Sequence, residues 1–527
     1  MMEKRLVIAY DMGTTGNKAC LYSLRAGGIE KIAEKQVKYG VSIRPGGGVE
    51  QDPEELWGSI RGISKALLAE TGTRPEDIAM LSFCTQMQAV VLVDKNGKVL
   101  RPIMNYMDER AASQFEKFNE GPVKIDGLNA VKHFAAIREN GITAASAKDP
   151  VYKYGWVREN EPEIFAQVYK YLDVGGWVLH RCTGRYVTTE DVAFTALVYD
   201  ARKHQWSEKL CHMHKIEMGH LPEIIGSTEC AGNLTEEAAA DLGLTTDCKV
   251  IGGGGDVAMI ALGAGCTKLG DTLVYVGTSG WVTTCVDKLG IDLTNSIGST
   301  VGAQQGIYLY FAEMELAGKN IEWARDQVML DGEDVYKTKE LSDEDVMKRI
   351  GEIAGSSPPG AGGVIFMPYL LGNRCPFEDV YCRASFYNIS LMSTKADLMR
   401  SVIEGIAYHM YWMLELIEKQ KPMNSILRII GGGAKSDLLC QTLADLSGHT
   451  VERTKEPQNA GVLGAGILAA NHFAYLDSLE DARRFAQVGD VFVPNPETRE
   501  QYMKNYGIYK QWPAQNKKNF RFLNRHR

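Results

Sequence analysis

Eight residues near the start of the chain, Asp11–Lys18, combine glycines, hydroxyl side chains and one carboxylate in the sequence DMGTTGNK. A turn of this composition suits phosphate binding, because a bulky side chain would keep phosphate oxygens away from the backbone N–H groups. Asp11 adds a carboxylate that could share a magnesium ion with such phosphates. On its own the segment is equally typical of an ordinary hairpin turn.

A second turn of this kind opens the other half of the chain. Gly277–Gly280 (GTSG) separates two strand-like runs, Thr272–Val276 and Trp281–Cys285. The first turn likewise separates Arg5–Tyr10 from Ala19–Ser23, so both segments have the pattern of a β-hairpin with a small polar tip. The second turn alone is weak evidence for phosphate binding. Its repetition predicts a duplicated architecture and favours a cleft that binds a nucleotide.

A third glycine-rich segment, Gly431–Ser436 (GGGAKS), follows the strand-like run Ile426–Ile430. It is not a P-loop, since that motif needs glycine at the positions taken by Ala434 and Ile429. A glycine run between a strand and a helix still lets a flat ring or a phosphate approach the backbone. The alternative is a tight turn with a purely structural role.

Two further aspartates are candidates for acid–base or binding roles. Asp256 follows the run Gly252–Gly255 at the start of a helical pattern, where it is either a functional group or a helix cap. Asp108 lies two residues before Arg110, and this pair is either functional or an ordinary surface ion pair. The segment Gln86–Gln88 is uninformative without further context.

Alternating helical and strand-like patterns must hold these turns and aspartates in place. The spacing of apolar residues predicts helices at Pro53–Glu70, Glu161–Leu179, Thr235–Leu242, Lys395–Lys419 and Ala460–Asn471, the last rich in small residues and suited to close packing. Strand-like runs include Ile78–Ser82 and Ala89–Val93. This alternation predicts an α/β protein built in layers.

The length and composition fit a water-soluble protein of more than one domain. The 527 residues are 45% hydrophobic, 24% charged and 9% aromatic, which excludes disordered, collagen-like and coiled-coil chains. At roughly 100–200 residues per domain, about two to four domains are expected. The 58 lysines and arginines against 66 aspartates and glutamates give a net charge of −8. We therefore expect no nucleic-acid partner.

The 11 cysteines are scattered and form no CxxC pair, a usage that fits a reducing cytosol. The mostly apolar run Arg5–Tyr10 is too short for the core of a signal peptide. The apolar stretch Val257–Ala264 is too short to span a membrane and ends in glycines. We therefore expect a cytoplasmic protein with no membrane contact.

Taken in order, these segments resemble the FGGY carbohydrate kinases, a family of sugar and polyol kinases in the actin-like/ribonuclease-H-like superfamily. The resemblance covers nearly the whole chain, from residue 5 to residue 490. It also rests on Pro150–Asn160, which is similar to the first family signature, on Phe366–Arg374, and on Ala384–Glu404, which is similar to the second. Lys148 and Asn388 depart from the residues usual in these signatures.

The resemblance implies the fold class: an α/β protein of two duplicated actin-like/ribonuclease-H-like domains with an interdomain active-site cleft. It implies an N-terminal domain at 1–257 on the sugar side and a C-terminal domain at 258–500 on the nucleotide side. Residues 501–527 would form a basic C-terminal tail. The implied reaction is phosphoryl transfer from ATP, with Mg²⁺, to a sugar hydroxyl.

Individual residues take their implied roles from their match to the family's motifs. ATP would be bound by Gly13, Thr14, Thr15, Lys18, Gly277, Thr278, Gly432, Gly433 and Ala434, the last three against adenosine. Asp11 would hold Mg²⁺. Met87, Gln88, Asp108 and Asp256 would line the sugar, and Asp256 would be the general base for the attacking hydroxyl.

The resemblance is strongest to the xylulokinase-like branch, which implies a ketose such as xylulose as the small-molecule substrate. In that branch the residue after Met87 is usually histidine, whereas here it is Gln88. The alternatives are another pentulose, a tetrulose, an alditol or a sugar acid. A non-sugar actin-like ATPase and a sugar sensor without catalysis are less favoured, because both signatures and both Asp11 and Asp256 are present. A homodimer is possible.

Overall fold

The computed structural model describes residues 5–125, 127–329 and 343–525. These residues divide into two compact units. Unit 1 takes in 1–267, 299–308 and 460–485, and unit 2 takes in 268–298, 309–459 and 486–527. Each unit is therefore discontinuous in sequence. Besides its main stretch, unit 1 contains residues 299–308 and 460–485, which are separated from each other by residues of unit 2.

The two main sheets contain β1 (Arg5–Met12), β2 (Gly16–Arg25), β3 (Gly28–Lys38), β4 (Ile78–Thr85), β5 (Cys230–Asn233), β6 (Lys249–Ile251), β7 (Gly254–Gly255), β8 (Thr272–Val276), β9 (Gly280–Val286), β10 (Ile291–Asp292), β11 (Ile297–Val301), β12 (Tyr308–Met314), β13 (Ile426–Ile430), β14 (Thr450–Thr454) and β15 (Val488–Phe492). Shorter strands lie at Ser42–Arg44, Gly48–Gln51, Val91–Val93, Ile103–Met104, Lys124–Ile125, Leu128–Asn129, Lys170–Leu172, Val187–Thr189, Tyr199–Asp200, Gln205–Trp206, Glu223–Ile225, Ile365–Met367 and Ser385–Tyr387.

The helices are α1 (Pro53–Thr71), α2 (Ala112–Phe118), α3 (Ala130–Asn140), α4 (Pro150–Asn160), α5 (Pro162–Phe165), α6 (Val174–Thr183), α7 (Glu190–Thr195), α8 (Glu208–His214), α9 (Glu236–Leu242), α10 (Asp256–Gly263), α11 (Gly318–Ala324), α12 (Asp343–Gly355), α13 (Lys395–Glu418), α14 (Asp437–Ser447), α15 (Ala460–His472) and α16 (Pro496–Asn524). In the described ranges, none of them combines the length and apolar character that a membrane-crossing helix needs.

The sheet of unit 1 has the strand order β5-β6-β4-β1-β2-β3, with β7 also paired to β4. β1, β2 and β3 are joined as antiparallel neighbours, whereas β4 runs parallel to β1 and β6 runs parallel to β4. β5 pairs antiparallel with β6. Because β1, β4 and β6 run in the same direction, their carboxyl ends lie at one edge of the sheet.

The second main sheet, most of whose strands lie in unit 2, has the order β10-β11-β12-β9-β8-β13-β14-β15. β8 and β9 form an antiparallel hairpin, β13 and β14 continue the sheet in parallel with β8, and β15 is antiparallel to β14. The order β12-β9-β8-β13-β14-β15 thus repeats the order β3-β2-β1-β4-β6-β5 of unit 1. The predicted duplicated architecture is confirmed.

The middle of β1, residues 6–10, is an unbroken apolar run because both faces of its sheet are covered. Ile8 and Tyr10 belong to the apolar core that includes Leu56 of α1. Val7 and Ala9 point to the other face and belong to the core that includes Val462 of α15. Alternate side chains of a strand point to opposite faces, so a strand between two helical layers has no polar side.

The sequence-predicted helices that correspond to α1, α9, α13 and α15 are each confirmed to within one residue. The predicted helix Glu161–Leu179 is wrong. This stretch contains α5, the strand Lys170–Leu172 and the first part of α6. The strand pairs antiparallel with Val91–Val93, and Asp173 then caps α6 by accepting hydrogen bonds from Gly175 N and Gly176 N. Tertiary strand pairing overrides the helical spacing here.

The last helix, α16, contains residues 501–524 of the segment predicted as a basic tail. Tyr502, Tyr506 and Tyr509 of this helix are buried in unit 2. Tyr502 Oη accepts a hydrogen bond from Arg400 Nη2 at 2.8 Å, and Tyr509 Oη lies 2.9 Å from His409 Nδ1. The helix is therefore packed onto α13 rather than projecting from the unit. Residues 526 and 527 lie outside the described residues.

Candidate active site

The carboxyl ends of β1, β4 and β7 bring two predicted aspartates to one edge of the unit 1 sheet. Asp11 is paired with Cys84 of β4, and Gly255, which precedes Asp256, is paired with Thr85. The two aspartates therefore lie on either side of β4, at its carboxyl end. Edges of this kind are where α/β proteins commonly bind their ligands.

Asp11 is half-buried, and its surroundings restrict both carboxylate oxygens. Cys84 Sγ donates a hydrogen bond to Oδ1 at 3.3 Å, while a Cβ added at Gly461 would lie 2.7 Å from Oδ2. Burial raises the pKa of Asp11, whereas the thiol hydrogen bond and the charge of Lys18, its cross-strand neighbour, lower it. Asp11 is thus held beside the first turn of α15, with Lys18 opposite.

The first predicted phosphate turn has its carbonyl groups directed into unit 1. Gly13 O accepts a hydrogen bond from Tyr39 Oη at 2.7 Å. Thr14 O accepts from Gln51 Nε2 at 2.9 Å, and Thr15 O accepts from Tyr39 N at 3.1 Å. In a planar trans peptide the C=O and the following N–H point in opposite directions. The N–H groups of Thr14 and Thr15 therefore point away from these partners, where a phosphate could accept from them.

Asp256 is the first residue of α10, and Gly255 rather than Asp256 takes the cap position. The Asp256 side chain nevertheless bonds a backbone N–H of the first turn, so it contributes to the helix start whether or not it is also functional. Val257 N donates to Asp256 Oδ1 at 2.9 Å. Met87 packs so closely on Gly255 that a Cβ added there would overlap its sulfur. The glycine run thus lets a predicted sugar-contact residue approach the start of α10.

A further carboxylate, Asp191, supports the start of α10. Asp191 Oδ2 accepts a hydrogen bond from Gly255 N at 2.7 Å, and the residue is 1% exposed. Burial raises the pKa of Asp191 from 3.8 to about 6, against the lowering effect of hydrogen bonds from Thr189 and Gly255. This hydrogen bond fixes the Gly254–Gly255 peptide, one residue before Asp256, so Asp191 supports the backbone from which the candidate base projects. No motif in the sequence marks it.

The raised pKa of Asp191 predicts a pH-dependent stability. Between pH values of about 4 and 6 the folded protein keeps a proton that the unfolded chain releases, so the free energy of unfolding falls as pH rises. Asp191→Asn does not titrate and still accepts from Gly255. We expect the free energy of unfolding of the variant, measured relative to that of the original protein, to be about 2 kcal/mol higher at pH 7 than at pH 4. Urea unfolding at both pH values measures it, and a pH-independent difference would contradict the assignment.

Three buried amide side chains connect the first phosphate turn to the loop Gln86–Gln88. Gln86 Nε2 donates to Gln51 Oε1 at 2.8 Å, and Asn105 Nδ2 donates to the same oxygen at 3.0 Å. Asn105 Nδ2 also donates to Gln86 Oε1 at 2.9 Å. Each amide is oriented by the others, and Gln51 in turn donates to Thr14 O. Gln86, uninformative in the sequence, thus links predicted phosphate and sugar residues.

Asp108 is fully buried and anchors a loop. Its Oδ1 accepts from Arg110 N at 3.2 Å, and its Oδ2 accepts from Arg110 Nη2 at 2.6 Å and from Val49 N at 2.8 Å. Arg110 Nη2 also donates to Glu50 Oε1 at 2.8 Å. The alternative of an ordinary surface ion pair is therefore wrong. Contact between Asp108 and a sugar stays a prediction.

In unit 2 the second predicted phosphate turn shares the backbone arrangement of the first. Gly277 O accepts from Gly318 N at 2.8 Å, and Thr278 O accepts from Ala317 N at 2.9 Å. The carbonyl groups again face the unit, so the N–H groups of Thr278 and Ser279 point away from it. The repetition extends from the strand order to the direction of the backbone at the tip.

The predicted adenosine segment lies next to this turn. Tyr275 of β8 is paired with Ile430 of β13, so both segments begin at the same edge of the unit 2 sheet. A Cβ added at Gly433 would overlap Val276, whereas one added at Gly432 meets nothing within 4 Å. The short helical turn that ends at Lys435 also contains Ala434, whose carbonyl accepts from Arg453. Gly432 therefore offers open backbone on a tightly packed support.

Comparison with known proteins gives matches to both parts of the chain. The N-terminal domain model of the FGGY family of carbohydrate kinases matches residues 6–263, and the C-terminal domain model matches residues 272–472. A xylulose kinase of Staphylococcus epidermidis is 30% identical in an alignment of 525 positions that covers 96% of this chain and 96% of that protein.

Solved structures agree with this result over the full fold. A gluconate kinase from Lactobacillus acidophilus is 26% identical, with a TM-score of 0.85 over 98% of both chains. A ligand-bound xylulose kinase from the same organism is 26% identical, with a TM-score of 0.85 over 97% of this chain and 98% of that one. The predicted fold class of two duplicated domains is confirmed.

Proposed function

Since this chain belongs to the FGGY family of carbohydrate kinases, we propose that it transfers the γ-phosphate of ATP to a hydroxyl of a ketose such as xylulose. The observation that carries the proposal is the pair Asp11 and Asp256 at the carboxyl edge of one sheet, beside the turn that directs N–H groups outward. These are the groups that phosphoryl transfer to a hydroxyl requires: a base, a carboxylate for a metal and phosphate donors.

Asp256 acts as the base. Its carboxylate takes the proton of the attacking hydroxyl, the hydroxyl oxygen forms a bond to the γ-phosphorus, and the bond from that phosphorus to the bridging oxygen of ADP breaks. Asp191 and Met87, which pack on Gly255, hold the start of α10 in place for this step. A positioned base of this kind contributes about 10²–10⁴-fold to the rate.

ATP is bound through backbone groups. The N–H groups of Thr14, Thr15 and Thr278 donate to its phosphates, with Lys18 adding positive charge, and adenosine lies against Gly432, Gly433 and Ala434. Asp11 fits a Mg²⁺ ligand, because its carboxylate is fixed by Cys84 at the edge where the phosphates would bind. Magnesium usually takes one or two carboxylates together with phosphate oxygens, and it would supply positive charge to the transferred phosphoryl group.

The acceptor is a ketose in the first place, as in the xylulose kinase relative, and a sugar acid is the second candidate. Gln88 favours keeping this second candidate, because it replaces the histidine expected next to the sugar, and the gluconate kinase has the same fold similarity as the ligand-bound xylulose kinase. An amide offers both a hydrogen-bond donor and an acceptor. Loss of one matched partner can change acceptor preference by orders of magnitude.

Release of ADP in the presence of ATP and Mg²⁺, measured across a panel of ketoses, alditols and sugar acids, tests the function. We expect D-xylulose or another pentulose to give the highest kcat/KM. If gluconate ranks first, the second candidate replaces the first. If no sugar or polyol stimulates ADP release above the rate with water alone, the kinase assignment itself is contradicted.

Gly13 tests the assignment of the first turn. A Cβ at this position contacts only Gly16 O, at 3.5 Å, so the fold tolerates a side chain there. We expect Gly13→Val to raise the KM for ATP about tenfold or more and to leave the KM for the sugar within about twofold, because the side chain blocks access to the turn's N–H groups. Steady-state kinetics with each substrate varied in turn provides the measurement.

Gly28→Val in β3 is the matched control for this variant. A Cβ at Gly28 comes no closer than 4.0 Å to its neighbour Arg25, and the position lies outside the proposed site. Both KM values should remain unchanged. If Gly13→Val instead raises the KM for the sugar and leaves the KM for ATP unchanged, the first turn belongs to the sugar site rather than to the ATP site.

A further inference from the structure

Lys153 is a buried lysine in the middle of α4, and it joins two separate loops of unit 1. Its Nζ donates hydrogen bonds to the carbonyl oxygen of Gln88 at 2.7 Å and to that of Asn105 at 2.9 Å. The side chain is fully buried, at 0% exposure. Burial lowers the pKa of Lys153 from 10.5 to about 7. A buried amino group needs acceptors of this kind in either protonation state, so the contacts are not those of a surface lysine that happens to lie near a carbonyl.

The first of these loops has an unusual backbone. Gln88 has a φ of +60°, in the left-handed region that residues other than glycine, asparagine and aspartate rarely adopt. A glutamine keeps this conformation only if its surroundings hold it there, and the Lys153 ammonium is bonded to its carbonyl oxygen. The left-handed backbone decides where the Gln88 side chain is directed.

The second loop begins at Asn105 and leads to Asp108. The carbonyl oxygen of Asn105 accepts from Asp108 N at 3.1 Å as well as from Lys153. The Asn105 side chain belongs to the amide network that includes Gln86. One ammonium group therefore fixes the distance between the two loops that carry the expected sugar contacts.

We propose that Lys153 is a positioning residue for the acceptor sugar, acting through Gln88 and Asn105 rather than by touching the substrate. This inference rests on the proposed function, because the loops matter only if the acceptor binds against them. Without the ammonium group, Gln88 relaxes out of the left-handed conformation and the two loops separate. Lys153 thus determines acceptor affinity and selectivity, and it affects ATP binding less, through the amide network that joins Asn105 to Thr14 by way of Gln51.

Lys153→Met tests the proposal, since it keeps the length and apolar stem of the side chain and removes the donors. We expect the KM for the best acceptor to rise about tenfold or more, as displaced binding groups commonly produce, and the ranking of acceptors to change. The KM for ATP should change by less than the KM for the acceptor. Lys153→Gln retains an N–H donor group, so its acceptor KM should lie between that of the original protein and that of Lys153→Met.

Lys170→Met is the matched control, because Lys170 Nζ also donates to two backbone carbonyls, those of Gly219 at 2.7 Å and Leu221 at 2.9 Å. Both lysine variants lose a similar pair of hydrogen bonds, but only Lys153 bonds the two sugar-side loops. We expect the control to lower the melting temperature without changing either KM. An equal change in acceptor KM in both variants would mean that the effect is one of general stability.

The outcomes separate this inference from the proposed function. An unchanged acceptor KM and ranking in a folded Lys153→Met or Lys153→Gln protein overturns the positioning role while the kinase assignment stands. Absence of sugar-dependent ADP release in the original protein overturns the proposed function first. If Lys153→Met does not fold, the comparison is made with Lys153→Gln, for which an unchanged acceptor KM again rejects the proposal.

Discussion

Replacement of Asp256 by asparagine is expected to lower kcat by about 10²-fold or more, because the amide keeps the shape of the side chain and cannot accept the proton of the attacking hydroxyl. Asparagine can still accept the hydrogen bond from Val257 N, so the start of α10 stays intact. Binding of ATP should therefore be unchanged. Single-turnover kinetics measures the rate, and calorimetry with ATP measures the affinity.

Glu236→Gln is the matched control for this variant. Glu236 is the first residue of α9, as Asp256 is of α10, and it is exposed. Both substitutions remove a negative charge from the first turn of a helix, which costs about 0.3–1 kcal/mol of stability. Only the change at Asp256 should slow the reaction. A kcat within about threefold of the original in Asp256→Asn would reject Asp256 as the base.

The sequence allowed prediction of those features that depend on neighbouring residues. The two hairpins are predicted from apolar runs on either side of small polar turns. The observed strands β1–β2 and β8–β9 agree with the predicted runs to within a few residues. α13 is predicted from its long apolar face. The Thr394 and Asp397 side chains that cap it lie within a few residues of each other in the sequence. Local spacing is sufficient for such features.

Features that depend on pairing between distant segments could not be predicted. Cys84 donates to Asp11 because β4 happens to be in register with β1, 73 residues away in sequence. Asp191 reaches Gly255 across 64 residues. The role of Lys153 needed the positions of two loops at once. One indication of this role is visible in the sequence, the presence of a lysine among the apolar and aromatic residues of α4. The match of this segment to the first family signature explains that lysine equally well.

The same reason accounts for the wrong helix at Glu161–Leu179. Its apolar residues have helical spacing, but Tyr171 and Leu172 are needed as partners for Val91–Val93. A short strand paired with a distant one leaves no local mark that competes with helical spacing. The parts of the candidate site that consist of glycine-rich turns and neighbouring aspartates could therefore be predicted from the sequence. The residues that support them could not.

The close packing of α10 on α15 leads to the prediction with the largest effect on stability. A Cβ added at Gly464 of α15 would overlap the carbonyl oxygen of Met259, and one added at Gly263 of α10 would overlap that of Ala460. The two helix backbones are thus in direct contact. α10 begins with Asp256, and Gly461 in the first turn of α15 packs against Asp11.

Gly464→Ala therefore adds a single methyl group where no space exists, and the helices must move apart to accept it. We expect the free energy of unfolding to fall by about 3 kcal/mol, the upper range for an overpacked core. Because separation of the helices moves Asp256 relative to Asp11, kcat should also fall about 10²-fold, the effect of a displacement of about 1 Å. Urea unfolding and steady-state kinetics measure the two effects.

Gly62→Ala in α1 distinguishes this packing effect from the general effect of alanine in a helix. Gly62 is exposed, and an added Cβ there meets nothing within 4 Å. Alanine at that position should stabilise the protein by about 0.5–1 kcal/mol, because glycine loses more conformational entropy on folding. Opposite signs of the two stability changes are expected. If Gly464→Ala were as stable and active as Gly62→Ala, the contact between α10 and α15 would not be what holds the two aspartates in place.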